Sequence, residues 1–168
     1  MKQNNWFDPL HIQSQLSEEE IRIQKNVREF CNKELRPSVV EMNRKHQFNI
    51  DLYQKFGSLG VLGQTLKSHG GSGTSNLAYG LVAYEFEKVD SSYRSSISVQ
   101  SSLVIHPISE FGSEDQKDKY LPELISGKKI GCFGLTESEA GSDPSSMKTT
   151  FKKTKDSYIL NGSKNWIT

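Results

Sequence analysis

Residues 132–147 of this chain read CFGLTESEAGSDPSSM, and the interpretation of the whole sequence depends on that stretch. It begins with apolar residues such as Phe133 and Leu135, and then becomes rich in acids and hydroxyls around a Gly-Ser-Asp-Pro turn signal. An apolar run that ends in such a turn predicts a strand followed by a loop. The hydroxyls of the loop either close the turn or donate to a polar ligand, and spacing alone leaves both roles open.

Helical signals fill the sequence before this stretch. Two capping boxes, Ser17 with Glu20 and Ser113 with Gln116, mark helix starts. Behind Ser17, apolar residues recur at helical spacing, and similar patterns predict helices over residues 51–59, 75–89 and 92–111. For the helix at 75–89 we expect a buried stripe formed by Leu77, Leu81, Tyr84 and Val89.

The pattern changes to strands after residue 129. Residues 130–136 read as a strand, residues 147–154 alternate loosely, and residues 157–168 read as a hairpin that turns at Asn161-Gly162. The sequence therefore predicts an α+β chain with a helical domain at 1–129 and the first strands of a β domain at 130–168. Three or four strands from about 40 residues leave an unpaired edge, so we expect the chain to be the N-terminal part of a longer protein.

The composition excludes several classes of protein. The 168 residues include 24% charged and 34% hydrophobic residues, which is the balance of a globular domain. Lys plus Arg number 21 against 20 for Asp plus Glu, so we expect neither nucleic acid nor a membrane as partner. Cys31 and Cys132 are far apart and show no metal-site spacing, so we expect free thiols in a reducing compartment and no metal.

A second polar cluster lies at residues 93–102, YRSSISVQSS. Arg94 near several hydroxyls at a helix start has the chemistry to hold an anion, and Glu87 is close enough in sequence to pair with it. From spacing alone, an exposed arginine on a serine-rich helix is the favoured interpretation. The sequence contains no nucleophile elbow, no HExxH and no other self-sufficient catalytic set.

Taken together, CFGLTESEAGSD and the NGSKNWIT segment at residues 161–168 resemble the flavin signature of the acyl-CoA dehydrogenases. The resemblance spans nearly the whole chain, and YRSSISVQSSL points to the glutaryl-CoA dehydrogenase branch. It implies an N-terminal helical domain, a middle β-barrel and a C-terminal helical bundle. It also implies FAD as cofactor, an acyl-CoA substrate, an electron-transfer flavoprotein as electron acceptor and a homotetramer.

The reaction implied by the resemblance is oxidation of the acyl chain, with a carboxylate base taking the α-proton and the flavin taking a hydride. In the glutaryl branch CO2 is then lost and crotonyl-CoA is formed. The family's base is a glutamate in the C-terminal domain, and no residue of this chain matches it. We therefore assign no catalytic residue here, and we expect residues 1–168 alone to be inactive.

The resemblance also assigns binding roles to individual residues. Phe133, Leu135 and Thr136 resemble the strand that contacts the flavin ring, and Trp166, Ile167 and Thr168 resemble the segment that flanks it. The turn near the FAD phosphates corresponds to Gly141 and Ser142, and Ser142 also lies near the substrate.

The substrate contacts implied by the resemblance are Arg94, Ser95 and Ser98, with Glu87 placed to tune Arg94. A buried cation suits a dicarboxylic acyl chain and would be costly beside a plain aliphatic tail. This favours glutaryl-CoA. Two alternatives remain: a helical binding module without catalysis, and a dehydrogenase of another acyl-CoA. The compartment implied is the cytoplasm in a bacterium or the mitochondrial matrix in a eukaryote.

Overall fold

Helices occupy most of the chain up to residue 125. The computed structural model describes residues 8–168. Its α-helices are α1 Glu18–Phe30, α2 Val39–Arg44, α3 Leu52–Leu59, α4 Asn76–Glu87, α5 Ser91–Ser98, α6 His106–Phe111 and α7 Glu114–Ile125. Wider π-helical turns extend α1 and join α5 to α6, at Cys31–Leu35 and Val99–Ile105, and short 3-10 turns form at Ile12–Gln15 and Pro144–Ser146.

Side-chain caps define where these helices begin. Both predicted capping boxes are confirmed: the Ser17 hydroxyl accepts from the Glu20 amide, and the Ser113 hydroxyl accepts from the Gln116 amide. Each cap satisfies one of the amides that a helix start leaves unpaired. At the other end of a helix, Gly60 adopts the left-handed conformation that closes α3.

The core is one apolar cluster in which α4 is central. Phe56 and Phe86 are fully buried there, with their ring centroids 5.2 Å apart. The predicted stripe of α4 is wrong, because Leu77 and Tyr84 are exposed and the buried side chains are Ala78, Val82, Glu85 and Phe86. Apolar residues lie on several faces of α4, so its own sequence allows more than one stripe. Packing against α1 and α5 selects the one that is buried.

The β part contains one antiparallel hairpin, β1 Thr150–Lys153 with β2 Tyr158–Asn161. The predicted hairpin is therefore misplaced: the chain reverses at residues 154–157, where Thr154 and Ser157 hydrogen-bond each other, and residues 164–168 form no strand. Gly162 has another reason to be glycine. A Cβ there would lie 2.1 Å from Oγ1 of Thr149.

The strand predicted at residues 130–136 is also wrong. Within residues 8–168 this segment pairs with no neighbouring strand, and its one ladder-like bond runs from the Asn165 amide to the Thr136 carbonyl at 2.9 Å. An apolar run becomes a strand only where a partner backbone is available. Cys31 is buried and Cys132 exposed, and both are free thiols as predicted. None of the described helices is long and apolar enough to cross a membrane.

Candidate functional site

One cavity of about 210 Å³ collects most of the predicted cofactor residues. It lies between the helical part and two irregular segments, which we call the first wall, residues 133–136, and the second wall, residues 166–168. Its lining side chains are Phe133, Leu135, Thr136, Trp166, Ile167, Thr168, Val99 and Leu103. The last two were missed from the sequence. Their spacing of four residues on one helical segment was the signal for a shared face.

The chemistry of this cavity suits a flat heteroaromatic ring with a polar edge. Its side chains are aromatic or aliphatic apart from the hydroxyls of Thr136 and Thr168. Within residues 8–168, the amides of the first wall donate no hydrogen bond, so they are free to donate to a ligand. The residues present therefore fit an isoalloxazine ring.

Gln100 holds the start of the first wall against the helices. Its side chain is 1% exposed, and its amide nitrogen donates to the carbonyls of Leu124 and Lys129, each at 2.9 Å. Its side-chain oxygen accepts from the Gly131 amide, also at 2.9 Å. All three partners are backbone groups, so this one side chain fixes where the chain leaves α7 and enters the cavity.

An ion pair forms between Glu137, the residue after the first wall, and Lys164, two residues before the second wall. The Lys164 ammonium lies 2.9 Å from the Glu137 carboxylate and also donates to the Leu135 carbonyl at 2.9 Å. The other contacts of the carboxylate are with the amides of Lys148 and Thr149. Together, Thr149, the Lys148 amide and the Lys164 ammonium lower the pKa of Glu137 to about 2. Both residues lie inside the stretches that resemble the flavin signature, but neither was assigned a role from the sequence.

A second cavity, of about 480 Å³, adjoins the first at Thr168. Its lining combines apolar side chains with helix hydroxyls: Phe48, Ile50, Tyr53, Ser92, Ser95, Ser96, Ile130 and Thr168. The predicted substrate residue Ser95 and the predicted cofactor residue Thr168 therefore share this cavity. Such a lining has room for an acyl chain with a polar group.

Arg94 forms the predicted ion pair with Glu87, Nε to carboxylate at 2.8 Å. Its Nη1 atom donates to the Ser98 hydroxyl at 3.4 Å, and that hydroxyl donates to the Ser95 carbonyl at 3.0 Å. The Ser91 hydroxyl and the Arg94 guanidinium lower the pKa of Glu87. Arg94 lines neither cavity, and its Nη2 atom has no acceptor among residues 8–168. The expectation of a buried cation is wrong, because the Arg94 side chain is 40% exposed beside a Glu87 side chain that is 45% exposed.

The hydroxyls of the turn after the first wall divide into two groups. The Asp143 side chain accepts from the amide and hydroxyl of Ser145, and Ser146 donates to the Asp143 carbonyl at 2.9 Å, so these serines close the turn. Ser142 is exposed and makes no hydrogen bond within residues 8–168. The ideal Cβ position of Gly141 has no atom within 4 Å. Neither Gly141 nor Ser142 lines the two cavities.

Two models of one protein family match the chain. The family model described as "Acyl-CoA dehydrogenase, N-terminal domain" matches residues 17–128, and the model of the middle domain of the same family matches residues 132–168. The first model alone covers more than half of the chain.

Curated relatives give the same family. The chain is 37% identical to an acyl-CoA dehydrogenase of Bacillus subtilis (strain 168), over 91% of this chain and 41% of the relative. It is 40% identical to the mitochondrial isovaleryl-CoA dehydrogenase of Pongo abelii, over 91% of this chain and 37% of that protein. The chain thus spans about two fifths of the length of these relatives.

Solved structures are similar in fold as well as in sequence. A glutaryl-CoA dehydrogenase from Mycobacterium smegmatis in complex with FADH2 superimposes with a TM-score of 0.92 at 41% identity, over 94% of this chain and 41% of that chain. The butyryl-CoA dehydrogenase of Megasphaera elsdenii gives 0.84 at 38% identity, over 90% of this chain and 41% of that chain. The chain belongs to the acyl-CoA dehydrogenase family.

Proposed function

We propose that this chain forms the helical part and the beginning of the β part of an FAD-dependent acyl-CoA dehydrogenase that converts glutaryl-CoA to crotonyl-CoA and CO2. In this proposal residues 1–129 form the helical domain and residues 130–168 form the beginning of the β domain. The observation that carries the flavoprotein assignment is the cavity between the two walls, because six predicted cofactor residues line it. Gly141 and Ser142, on the turn that follows the first wall in the chain, are proposed to approach the FAD phosphates.

In this proposal the first wall holds the polar edge of the ring through its free amides, and Trp166, Ile167 and Thr168 flank the ring. Ser95, with Thr168, positions the acyl chain in the adjoining cavity. FAD, when bound, supplies the acceptor for the hydride that leaves the substrate's β-carbon. The contribution of the described residues is binding and orientation, which align the reacting carbons with the cofactor.

Glutaryl-CoA is proposed because of the Arg94 cluster. Glu87 and Ser98 hold the guanidinium through Nε and Nη1, which leaves Nη2 free to donate to the distal carboxylate of the substrate. Ser98 and Ser95 lie on the same helix beside it. The isovaleryl-CoA and butyryl-CoA dehydrogenases among the relatives make another acyl group the second candidate.

Flavin binding is tested by titrating the chain with FAD and following the visible flavin absorption. We expect binding that Trp166→Ala weakens about threefold to tenfold, the range for loss of one aromatic contact. Phe151→Ala is the matched control, because Phe151 is an exposed aromatic on the hairpin that lines neither wall. A chain that leaves the spectrum of FAD unchanged would contradict the flavoprotein assignment.

The substrate is tested in a protein that continues this chain through the rest of the middle β-barrel and the C-terminal helical domain of the family. Arg94→Gln is expected to lower kcat/KM for glutaryl-CoA about 10- to 100-fold and to change that for butyryl-CoA little, because only glutaryl-CoA carries the distal carboxylate. Arg22→Gln, at an exposed arginine of α1, is the control. Equal losses with both substrates would contradict the carboxylate role.

Residues 1–168 alone are expected not to dehydrogenate glutaryl-CoA with an artificial electron acceptor. In the full enzyme we propose that electrons pass to an electron-transfer flavoprotein and that four copies assemble.

A further inference from the structure

The ion pair of Glu137 and Lys164 is unlike its neighbours on the surface. Their side chains are 9% and 22% exposed, whereas those of the nearby pair Glu139 and Lys148 are 73% and 76% exposed. Holding a charged pair away from water is costly unless its geometry and hydrogen bonds are good. The low exposure of this pair therefore sets it apart from an ordinary surface ion pair.

We propose that Glu137 and Lys164 are positioning residues that fix the distance between the first wall and the second wall of the cofactor cavity. The inference rests on the proposed function, because the cavity is taken to hold the flavin ring. Neither residue is given a direct contact with cofactor or substrate.

Lys164 reaches the first wall from the segment that leads into the second. Its ammonium donates to the Leu135 carbonyl and to Glu137, each at 2.9 Å, and lies 3.3 Å from the sulfur of Met147. Its stem packs over Gly134, where an added Cβ would lie 3.4 Å from Cγ of Lys164. An ammonium has three donors, so these contacts use all of them. Trp166 follows two residues later, and its backbone is thereby held relative to Leu135.

Glu137 ties the same point to the start of the hairpin. One of its carboxylate oxygens accepts from the Lys148 amide at 2.6 Å, and the other accepts from the Thr149 amide at 2.9 Å and from Lys164. Both oxygens are therefore occupied by donors. This argues against a role for Glu137 as an acid or base and in favour of a structural link between three segments.

The walls need such a link because neither is part of a sheet among the described residues. Among the described residues, one backbone hydrogen bond ties the first wall to the residue just before the second wall, from the Asn165 amide to the Thr136 carbonyl at 2.9 Å. A single neutral bond contributes little, and a charge-assisted one contributes about twice as much. The ion pair lies next to this bond in the chain, since Lys164 precedes Asn165 and Glu137 follows Thr136.

The first measurement is amide hydrogen exchange of Asn165 by NMR, without flavin. Glu137→Gln and Lys164→Met are expected to speed the exchange about tenfold, the effect of losing one charged hydrogen bond. Lys164→Arg keeps the charge and several donors, so the Asn165 amide of this variant is expected to exchange as slowly as in the wild type. Glu139→Gln, which breaks only the exposed pair, is the matched control and is expected to leave the exchange unchanged.

The second measurement is FAD affinity of the same variants from the visible flavin absorption. It is expected to fall about tenfold in Glu137→Gln and Lys164→Met, to recover in Lys164→Arg, and to stay unchanged in Glu139→Gln. If Lys164→Met does not fold, Glu137→Gln still gives the comparison, because its amide oxygen can accept from one of the two backbone amides.

Exchange of Asn165 that is the same in Glu137→Gln and Glu139→Gln would overturn the proposal. So would an equal loss of FAD affinity in these two variants. The expected exchange pattern in a chain whose wild type does not bind FAD supports the positioning role and contradicts the flavoprotein assignment, so the two failures are distinguishable.

Discussion

The amide of Gly131 donates a 2.9 Å hydrogen bond to the buried side chain of Gln100, which also donates to two carbonyls across the end of α7. Replacing Gln100 with Met keeps the size of the side chain and removes all three bonds. We expect the free energy of unfolding to fall by about 2–4 kcal/mol, because three backbone groups lose their buried partner.

Urea denaturation followed by circular dichroism measures this loss. Gln54→Met is the control, since Gln54 is exposed on α3, and it is expected to change stability by less than about 0.5 kcal/mol. A loss of stability no larger than that of the control would show that the three hydrogen bonds of Gln100 do not stabilise the end of α7.

The second prediction compares Gly131, which precedes the first wall in the chain, with Gly141, which follows it. A Cβ at Gly131 would lie 2.3 Å from a methyl of Val104, whereas a Cβ at Gly141 would have no atom within 4 Å. Gly131→Ala is expected to destabilise the chain by about 1–3 kcal/mol through overpacking. Gly141→Ala is expected to keep its melting temperature and to weaken FAD binding, because the cofactor is proposed to approach there.

Thermal unfolding and FAD titration of both variants separate the two roles. Gly141→Ala with unchanged affinity for FAD would contradict the close approach of cofactor to Gly141. Gly131→Ala as stable as the wild type would mean that Val104 moves away without cost.

Local signals were enough to predict where several helices start. Ser17 and Ser113 cap helices where the sequence indicated, because a capping box depends only on residues three apart. The buried face of α4 and the hairpin turn depended on partners distant in sequence. Asn161-Gly162 is a strong local turn signal, but Asn161 pairs with Thr150 at the end of β2, and Gly162 lies against Thr149.

The candidate site divides in the same way. Thr136 and Trp166 were predicted through the family resemblance and line one cavity. The roles of Gln100, Glu137 and Lys164 were not predicted, because each side chain holds backbone groups that are distant in sequence. Gln100 reaches groups 24 to 31 residues away, Glu137 reaches an amide 11 residues away, and Lys164 reaches a carbonyl 29 residues away. A polar residue with that role has no characteristic spacing in the sequence.

The third prediction concerns the buried carboxylate of Glu85, which links α4 to α1. Glu85 accepts from the Arg28 guanidinium at 2.8 Å and 3.2 Å and from Gln24 at 2.9 Å. Burial alone would raise the pKa of Glu85, but Arg28, Lys88 and Gln24 outweigh it and the pKa is lowered. Arg28→Met should therefore destabilise the chain by about 1.5–3 kcal/mol, because the buried carboxylate loses its guanidinium hydrogen bonds and keeps only Lys88 and Gln24.

Lys45→Met tests whether this is a general effect of ion pairs. Lys45 and Glu41 form an exposed pair at the end of α2, and losing it is expected to cost less than about 1 kcal/mol. Similar losses in the two variants, measured by urea denaturation, would contradict the special position of Glu85.

The last prediction uses pH to isolate the carboxylate of Glu137. Its pKa is lowered from 4.5 to about 2 in the folded chain by Thr149, the Lys148 amide and the Lys164 ammonium. A lowered pKa means that the folded state binds protons less readily than the unfolded state. The stabilisation is therefore fully present above pH 4.5 and is lost as the pH falls from about 4.5 to about 2.

In Glu137→Gln this part of the acid sensitivity should disappear, so the difference in stability from the wild type should shrink as the pH is lowered. Denaturation of both chains at pH 7, 4 and 3 measures it, with Glu139→Gln as the control whose difference should not follow this course. A difference between wild type and Glu137→Gln that stays constant with pH would mean that the negative charge of Glu137 does not hold the walls together.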